Sequence, residues 1–572
     1  MTLGARPRLA LVTILVALAF LVAVDASSPT DTPDIQLQLG KLLYAEGRYL
    51  EALTAFQHAL QSDEARVRVP ARTGVVQSAL RIGAFGTARD EGVRLRQDRP
   101  DDPALLAIYG DAMWSSGLFE EAAEAYARSV SLREQEARGH NGLARVLSAR
   151  GRYQEALGHA MTAVGLEPRE ADYYHTLGNV NERLGKFDQA AVALGSFINL
   201  LPKGFADSRA VWAVSELKFL QSFGTRMPYE VTSDPDAVYT LPFRLEHEKI
   251  IVRGRVNGSS PLDFVVDTGA ELTTLSGATS RRQVVDPIVY TVSAGVGEVG
   301  LRGLQLGQID KLEIGALKIR HVPCIIKSPA LRDLPTVEGD SFSPLALGMS
   351  VSIDYANRVL TLARRLPAEA APDQTMALWM HRLATVRGMV GTSPRSFVVD
   401  TGGQVISIST DTAQGLPPTG GGRKIALRVY GASGWDRDAY LLPGVDLAFK
   451  DIRFDKLSVV VLNLRAPSVL LGYELGGIVG HQFLSRYRVS IDLEHAELRL
   501  KKSLQKRRWG QSRVSGHSDR LDSDPTGRGS GPAAAGRRLI PTSRIQSRTG
   551  TAACATPRRR LPIRRRRSPI PC

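Results

Sequence analysis

Two hydrophobic rhythms divide the chain. From about residue 34 to 202, helical stretches such as Leu177-Gly178-Asn179-Val180-Asn181-Glu182-Arg183-Leu184 alternate with short glycine-containing breaks. From about Asp236 to Leu500, β-branched residues alternate with polar ones, as in Lys249-Ile250-Ile251-Val252-Arg253-Gly254-Arg255-Val256. Turn pairs such as Asn257-Gly258 interrupt these runs, which is a hairpin signal. The pattern predicts an all-α region followed by an all-β region, joined by a connection over 203–234 with some helical character.

The helical region repeats. Gly47-Arg48-Tyr49-Leu50-Glu51-Ala52 returns around Gly117, Gly151 and Gly185, and more weakly around Gly83, at intervals of 34 to 36 residues. Glycine permits the tight turn between two helices, the aromatic two residues later packs into the neighbour, and the alanine lets helices approach closely. Period and motif together resemble the tetratricopeptide (TPR) family, whose unit is 34 residues. The resemblance covers about residues 34 to 202. It implies a stacked solenoid with a concave groove that takes peptides or partner proteins. A purely structural spacer is the alternative.

The β region is a tandem duplication. Phe264-Val265-Val266-Asp267-Thr268-Gly269 is matched by Phe397-Val398-Val399-Asp400-Thr401-Gly402, each with a second apolar strand behind it. Farther along come Ala346-Leu347-Gly348 and Ile478-Val479-Gly480. Each unit closes with a strand pair, Val351 to Leu362 and Val489 to Leu500. Each unit resembles a lobe of a retropepsin-type aspartic protease, as found in bacterial aspartyl-protease-family proteins. The resemblance implies an all-β bilobal retropepsin- or pepsin-like module. In it Asp267 and Asp400 form a catalytic dyad, Thr268 and Thr401 lock the two loops across the lobe interface, and Gly269 and Gly402 allow the tight backbone turn behind each acid. Two carboxyls so close share one proton, so one acts as base toward a water and the other as acid toward the scissile carbonyl. Neither metal nor cofactor is required by that chemistry.

The resemblance also implies glycine-rich flaps over the cleft, at Gly295 and Gly297 in the first lobe and Tyr430 and Gly431 in the second. Gly295-x-Gly297-x-x-Gly300 matches a dinucleotide fingerprint by letter, but no helix-forming stretch follows it. Two departures stand out. Gly348-Met349-Ser350 leaves no room for the short helix that Gly480-His481-Gln482-Phe483 supplies in the second lobe. Ala270 and Gly403 stand where pepsin-like enzymes often carry a hydroxyl, which predicts less acidic carboxyls and a weakly acidic to neutral working range. His381, His481 and His495 show no metal or triad spacing, and no Gly-x-Ser-x-Gly nucleophile motif occurs.

Charge changes the picture only at the ends. The net charge of +15 suggests nucleic acid or membrane, but residues 501–572 hold roughly +16 of it and the rest is roughly neutral. Residues 503–572 read as a disordered basic tail, and no nucleic-acid partner is expected. Three cysteines, Cys324, Cys554 and Cys572, allow neither a disulfide framework nor a metal cluster. Arg6 and Arg8, an apolar run Leu9 to Val24 and Val24-Asp25-Ala26 form a secretory signal or uncleaved membrane anchor. The predicted organisation is therefore signal or anchor 1–28, TPR repeats 29–202, connection 203–234, lobes 235–370 and 371–502, and tail 503–572. The expected protein is exported, periplasmic or secreted. It is an aspartic endopeptidase whose repeats recruit a peptide or protein substrate or a protein partner. A peptide-binding scaffold with little or no turnover, motivated by the shortened first lobe, and a dyad formed between two chains are the competing readings.

Overall fold

The computed structural model describes residues 32–202, 208–296, 301–327, 339–417, 424–431 and 434–502. The expected signal or anchor, the basic tail, Cys554 and Cys572 lie outside them.

Ten helices between Pro33–Ala45 and Phe187–Leu200 form five antiparallel pairs. The turn glycines Gly47, Gly83, Gly117, Gly151 and Gly185 all have φ between 69° and 79°, a region that costs a side chain strain. The motif alanines Ala52, Ala88, Ala122, Ala156 and Ala190 are fully buried, because any larger side chain would push the paired helices apart. Tyr49, Phe85 and Phe119 are buried as expected. Tyr153 and Phe187 are only half-buried, and they border a large cavity.

An eleventh helix, Ser208–Ser222, occupies the segment predicted as a connection. It gives the expected helical character of that segment a definite form, packed on both sides. Ala213 joins Leu194 and Phe197 of the last repeat. Phe219 and Phe223 join Leu306 of the β region, and the Ser215 hydroxyl donates to the Tyr290 carbonyl at 2.9 Å. The helix therefore caps the solenoid and ties it to the first lobe.

The two lobes share a six-stranded seam ordered Tyr239–Pro242, Val359–Ala363, Ser350–Asp354, Tyr487–Asp492, Glu497–Lys502 and Gln374–His381. Its central pair is antiparallel, with Val351 opposite Ile491, Ser352 opposite Ser490 and Ile353 opposite Val489. This register places Ser352 and Ser490 at the pseudo-twofold axis. Both hydroxyls donate to the Glu369 carboxylate at 2.7 Å, and Arg488 lies 3.2 Å from it. A carboxylate held by two hydroxyls and a guanidinium keeps this half-buried position satisfied. The apolar residues of the seam and of both lobes merge into one core containing Phe264, Phe342, Phe397, Phe449 and Phe483. Cys324 lies within that core, as a small hydrophobe should, and burial pushes its thiol up to about 12.

The solenoid is docked firmly on the second lobe. A Cβ added at Gly117 would lie 2.5 Å from Ser396 Oγ, so this glycine serves both the helix turn and the close contact. The Glu474 amide donates to the Ser115 carbonyl at 2.7 Å. Arg150 Nη1 donates to the carbonyls of Leu378 and Ala496 at 2.8 and 2.9 Å. Trp379 Nε1 donates to Glu120 at 3.0 Å, and Arg387 pairs with Glu121 at 2.7 Å. Phe119 packs against Trp114, Trp379 and Tyr473 with ring centroids 4.8 to 5.4 Å apart. These residues form one apolar cluster that spans helices and strands.

Candidate active site

Each Asp-Thr-Gly stands at the end of an apolar strand, Leu262–Val266 or Ser393–Val399. A short strand then runs parallel to it. Asp340–Phe342 pairs with Phe264–Val266, and Gly477–Val479 with Phe397–Val399. These short strands fix the acidic loops from behind. The Asp267 amide donates to the Phe342 carbonyl at 2.9 Å, and the Asp400 amide to the Val479 carbonyl at 3.0 Å.

That pair of bonds corrects the sequence alignment of the lobes. The counterpart of Val479-Gly480 is Phe342-Ser343, not Leu347-Gly348. With this register the supposedly missing helix appears in the first lobe as the 3₁₀ turn Leu345–Leu347, opposite His481–Leu484 in the second. The physical reason is that a main-chain bond defines the position, and several side chains are compatible with it. Gly480 is crowded, since a Cβ there would lie 2.7 Å from the carbonyls of Gly403 and Val405. Ser343 instead uses its hydroxyl to donate to the Ala270 carbonyl at 2.6 Å.

The two threonines cross between the lobes with near-perfect symmetry. Thr268 Oγ1 donates to Val399 O and Thr401 Oγ1 to Val266 O, both at 2.7 Å. Each hydroxyl also accepts the amide N–H of the other threonine at 3.1 Å. Both threonines are almost fully buried, where such bonds are strongest and costliest to lose.

This lock brings Asp267 and Asp400 together within one chain, close enough for each carboxyl to shift the titration of the other. Gly269 and Gly402 make the approach possible. An added Cβ at Gly269 would lie 2.5 Å from Asp400 Cγ, and one at Gly402 would lie 2.8 Å from Asp267 Cγ. The environments of the two acids differ. Burial, and next the negative charge of Asp400, raise Asp267 well above the usual carboxylate range, while the Gly269 amide offsets this only in part. Burial also raises Asp400, but it accepts from two amides, Gly402 at 2.8 Å and Gly403 at 2.9 Å. Two amide donors against one favour the anion on Asp400 over that on Asp267, and the two acids titrate as a pair. Lys249 lowers both, a contribution that no motif in the sequence signals.

Both acids face a cavity of about 2240 Å³. Gly295 and Gly431 line it, and Gly431 abuts Val296, so the two flap hairpins touch above the cleft. The Tyr430 backbone belongs to the hairpin Val429–Gly431 with Gly434–Asp436. Gly297 lies outside the described residues. Sequence reasoning missed one junction beside the dyad. Arg382 pairs with Glu271 at 2.6 Å, donates to the Leu470 carbonyl at 3.1 Å and stacks 5.4 Å from Trp212 of the capping helix. No metal-binding cluster occurs among the described residues.

Comparison with known proteins agrees with this layout. The family model described as "gag-polyprotein putative aspartyl protease" matches residues 252–351, "Aspartyl protease" matches 384–475, and "Tetratricopeptide repeat" matches 141–196. A thermophilic TPR protein of Thermus thermophilus is 22% identical, with TM-score 0.28 over 32% of this chain and 99% of its own. A tetratricopeptide repeat protein from Parabacteroides merdae is 16% identical, with TM-score 0.27 over 38% of this chain and 82% of its own. The corresponding values for Pseudomonas aeruginosa pilF are 15% and 0.25, over 33% and 84%. No curated protein matches the chain. Helical repeats in front and paired Asp-Thr-Gly lobes behind make this chain a tetratricopeptide-repeat array joined to two aspartyl-protease domains.

Proposed function

We propose that the protein is an exported aspartic endopeptidase, with the repeats holding substrate or a partner protein. The observation that carries this reading is the pair of closely approached carboxyls facing a large cavity, held by reciprocal threonine bonds. In the proposed reaction Asp400 takes a proton from a water as it adds to the scissile carbonyl. Asp267 gives its proton to the carbonyl oxygen, and the tetrahedral species collapses with protonation of the leaving amine. The first lobe carries the 3₁₀ turn Leu345–Leu347, with Leu347 lining the cavity, which supports the catalytic reading over a non-catalytic scaffold.

The test is hydrolysis of unstructured peptides, followed by mass spectrometry across pH. The active form carries one proton on the pair. Activity should rise with pH as the first proton leaves, then fall as the second leaves. That second step belongs to the pair and is pushed upward by burial and by the charge left on the neighbouring carboxyl. The profile should therefore peak in the weakly acidic range and decline above neutrality. An optimum below about pH 3, the range of a pair with one strongly depressed acid, contradicts the electrostatics described above.

A further inference from the structure

We infer that the repeat groove and the catalytic cleft are one fixed channel for a single extended polypeptide, in which the solenoid grips the segment flanking the bond presented to the dyad. This inference rests on the peptidase reading and narrows it: the repeats act in cis on the substrate chain itself.

The first ground is continuity. The cavity faced by Asp267 and Asp400 is also lined by Arg81, Asp111, Asn141 and Arg145 on the inner face of the solenoid. At about 2240 Å³ it exceeds the roughly 300–1,000 Å³ typical of small-molecule sites, as a polymer site should. The second ground is rigidity. The solenoid touches both lobes, through Arg150 and Trp379 on the second and Ser215 on the first. Arg382 joins the capping helix to the dyad loop. The groove is thus a wall of the cleft and not a tethered arm.

The third ground is unspent hydrogen-bonding capacity. Asn141, 5% exposed, has no partner for Oδ1, and Thr291, 8% exposed on the first-lobe flap strand, has none for Oγ1. Both line the cavity. Buried polar atoms without partners are rare and call for a ligand or water. Of the charges lining the cavity, Asp111 pairs with Arg138 and Arg81 with Asp172, both at 2.8 Å, while the neighbouring carboxyls of Glu182 and Glu216 repel each other and Glu182 Oε1 has no hydrogen-bond partner. A partner-free amide oxygen and a partner-free hydroxyl in one cavity suit main-chain N–H and C=O groups, which every extended peptide offers regardless of sequence. A folded partner domain cannot present them in this way.

The experiment uses the full chain and fluorogenic peptides. One is about 8 residues long. The others carry about 12 more residues on one side or the other, which adds roughly 40 Å of reach. Extension on one side should raise kcat/KM about tenfold or more, mainly through KM. In Asn141→Ala the ratio of long-peptide to short-peptide kcat/KM should fall toward one. Equal kcat/KM for all lengths in the wild type overturns the inference, as does an unchanged ratio in the variant. Should the variant fail to fold, the extension added alone takes its place. It should raise KM for the long peptide only, and inhibition of both peptides equally counts against a separate grip. If no peptide is hydrolysed, the peptidase reading fails. Fluorescence anisotropy then decides the channel, by tighter binding of the long peptide or equal binding of both.

Discussion

Asp267→Asn and Asp400→Asn should each lower peptide hydrolysis by roughly 10²–10⁴-fold, the range lost when a positioned acid or base is removed. Asn at 400 cannot take the proton of the attacking water. Asn at 267 cannot yield one to the carbonyl oxygen. The folded state should survive both changes. Asp267 is raised on folding by burial and by its neighbour's charge. Its contribution to stability is therefore present at low pH and lost as pH rises from the unfolded value through the folded one. A neutral amide removes that penalty, so at neutral pH neither variant should melt lower than the parent. Wild-type turnover in either variant would falsify the shared-proton site. Loss of turnover together with loss of folding would leave the assignment to the pH profile.

The second large effect concerns the threonine lock. In Thr401→Val, the Thr268 amide loses its acceptor and the Val266 carbonyl loses a donor, both in the buried interface between lobes. Each orphaned buried group costs about 1–3 kcal/mol, so denaturant unfolding should show a loss of about 2–5 kcal/mol. Thr268→Val should cost about the same, because it breaks the mirror-image pair. The double variant should cost less than the sum, since the bonds belong to one network. Thr401→Ser keeps the hydroxyl and should restore most of the loss. A change below about 1 kcal/mol in both valine variants means that the bonds are replaceable by solvent, against their burial.

How much of this was legible depended on whether side chains or main chain carried the interaction. Asp267-Thr268-Gly269 and its twin were readable because a carboxylate, a hydroxyl and a missing side chain are each irreplaceable at their positions. The strand Asp340–Phe342 was not readable. It is three residues long, and its essential act is a carbonyl bond that any residue can make, whereas Leu347-Gly348 offered the right letters in the wrong place. The helix Ser208–Ser222 hid for another reason. Its apolar residues divide between two neighbours, Ala213 toward the last repeat and Phe219 toward the first lobe, so no single stripe forms. The docking of solenoid on lobe was invisible because its residues already had local explanations. Gly117 was a turn glycine, and nothing in the sequence says that it and Trp379 meet the same interface between solenoid and lobe.

The register of Ser352 against Ser490 has a consequence for how the protein behaves as it is thinned out. The edge of Ser350–Asp354 is already occupied by its own chain, so completing the reaction centre needs no encounter with another molecule. Mass action then has no hold on it. Catalytic output per molecule should stay constant down to the most dilute sample in which turnover can still be followed.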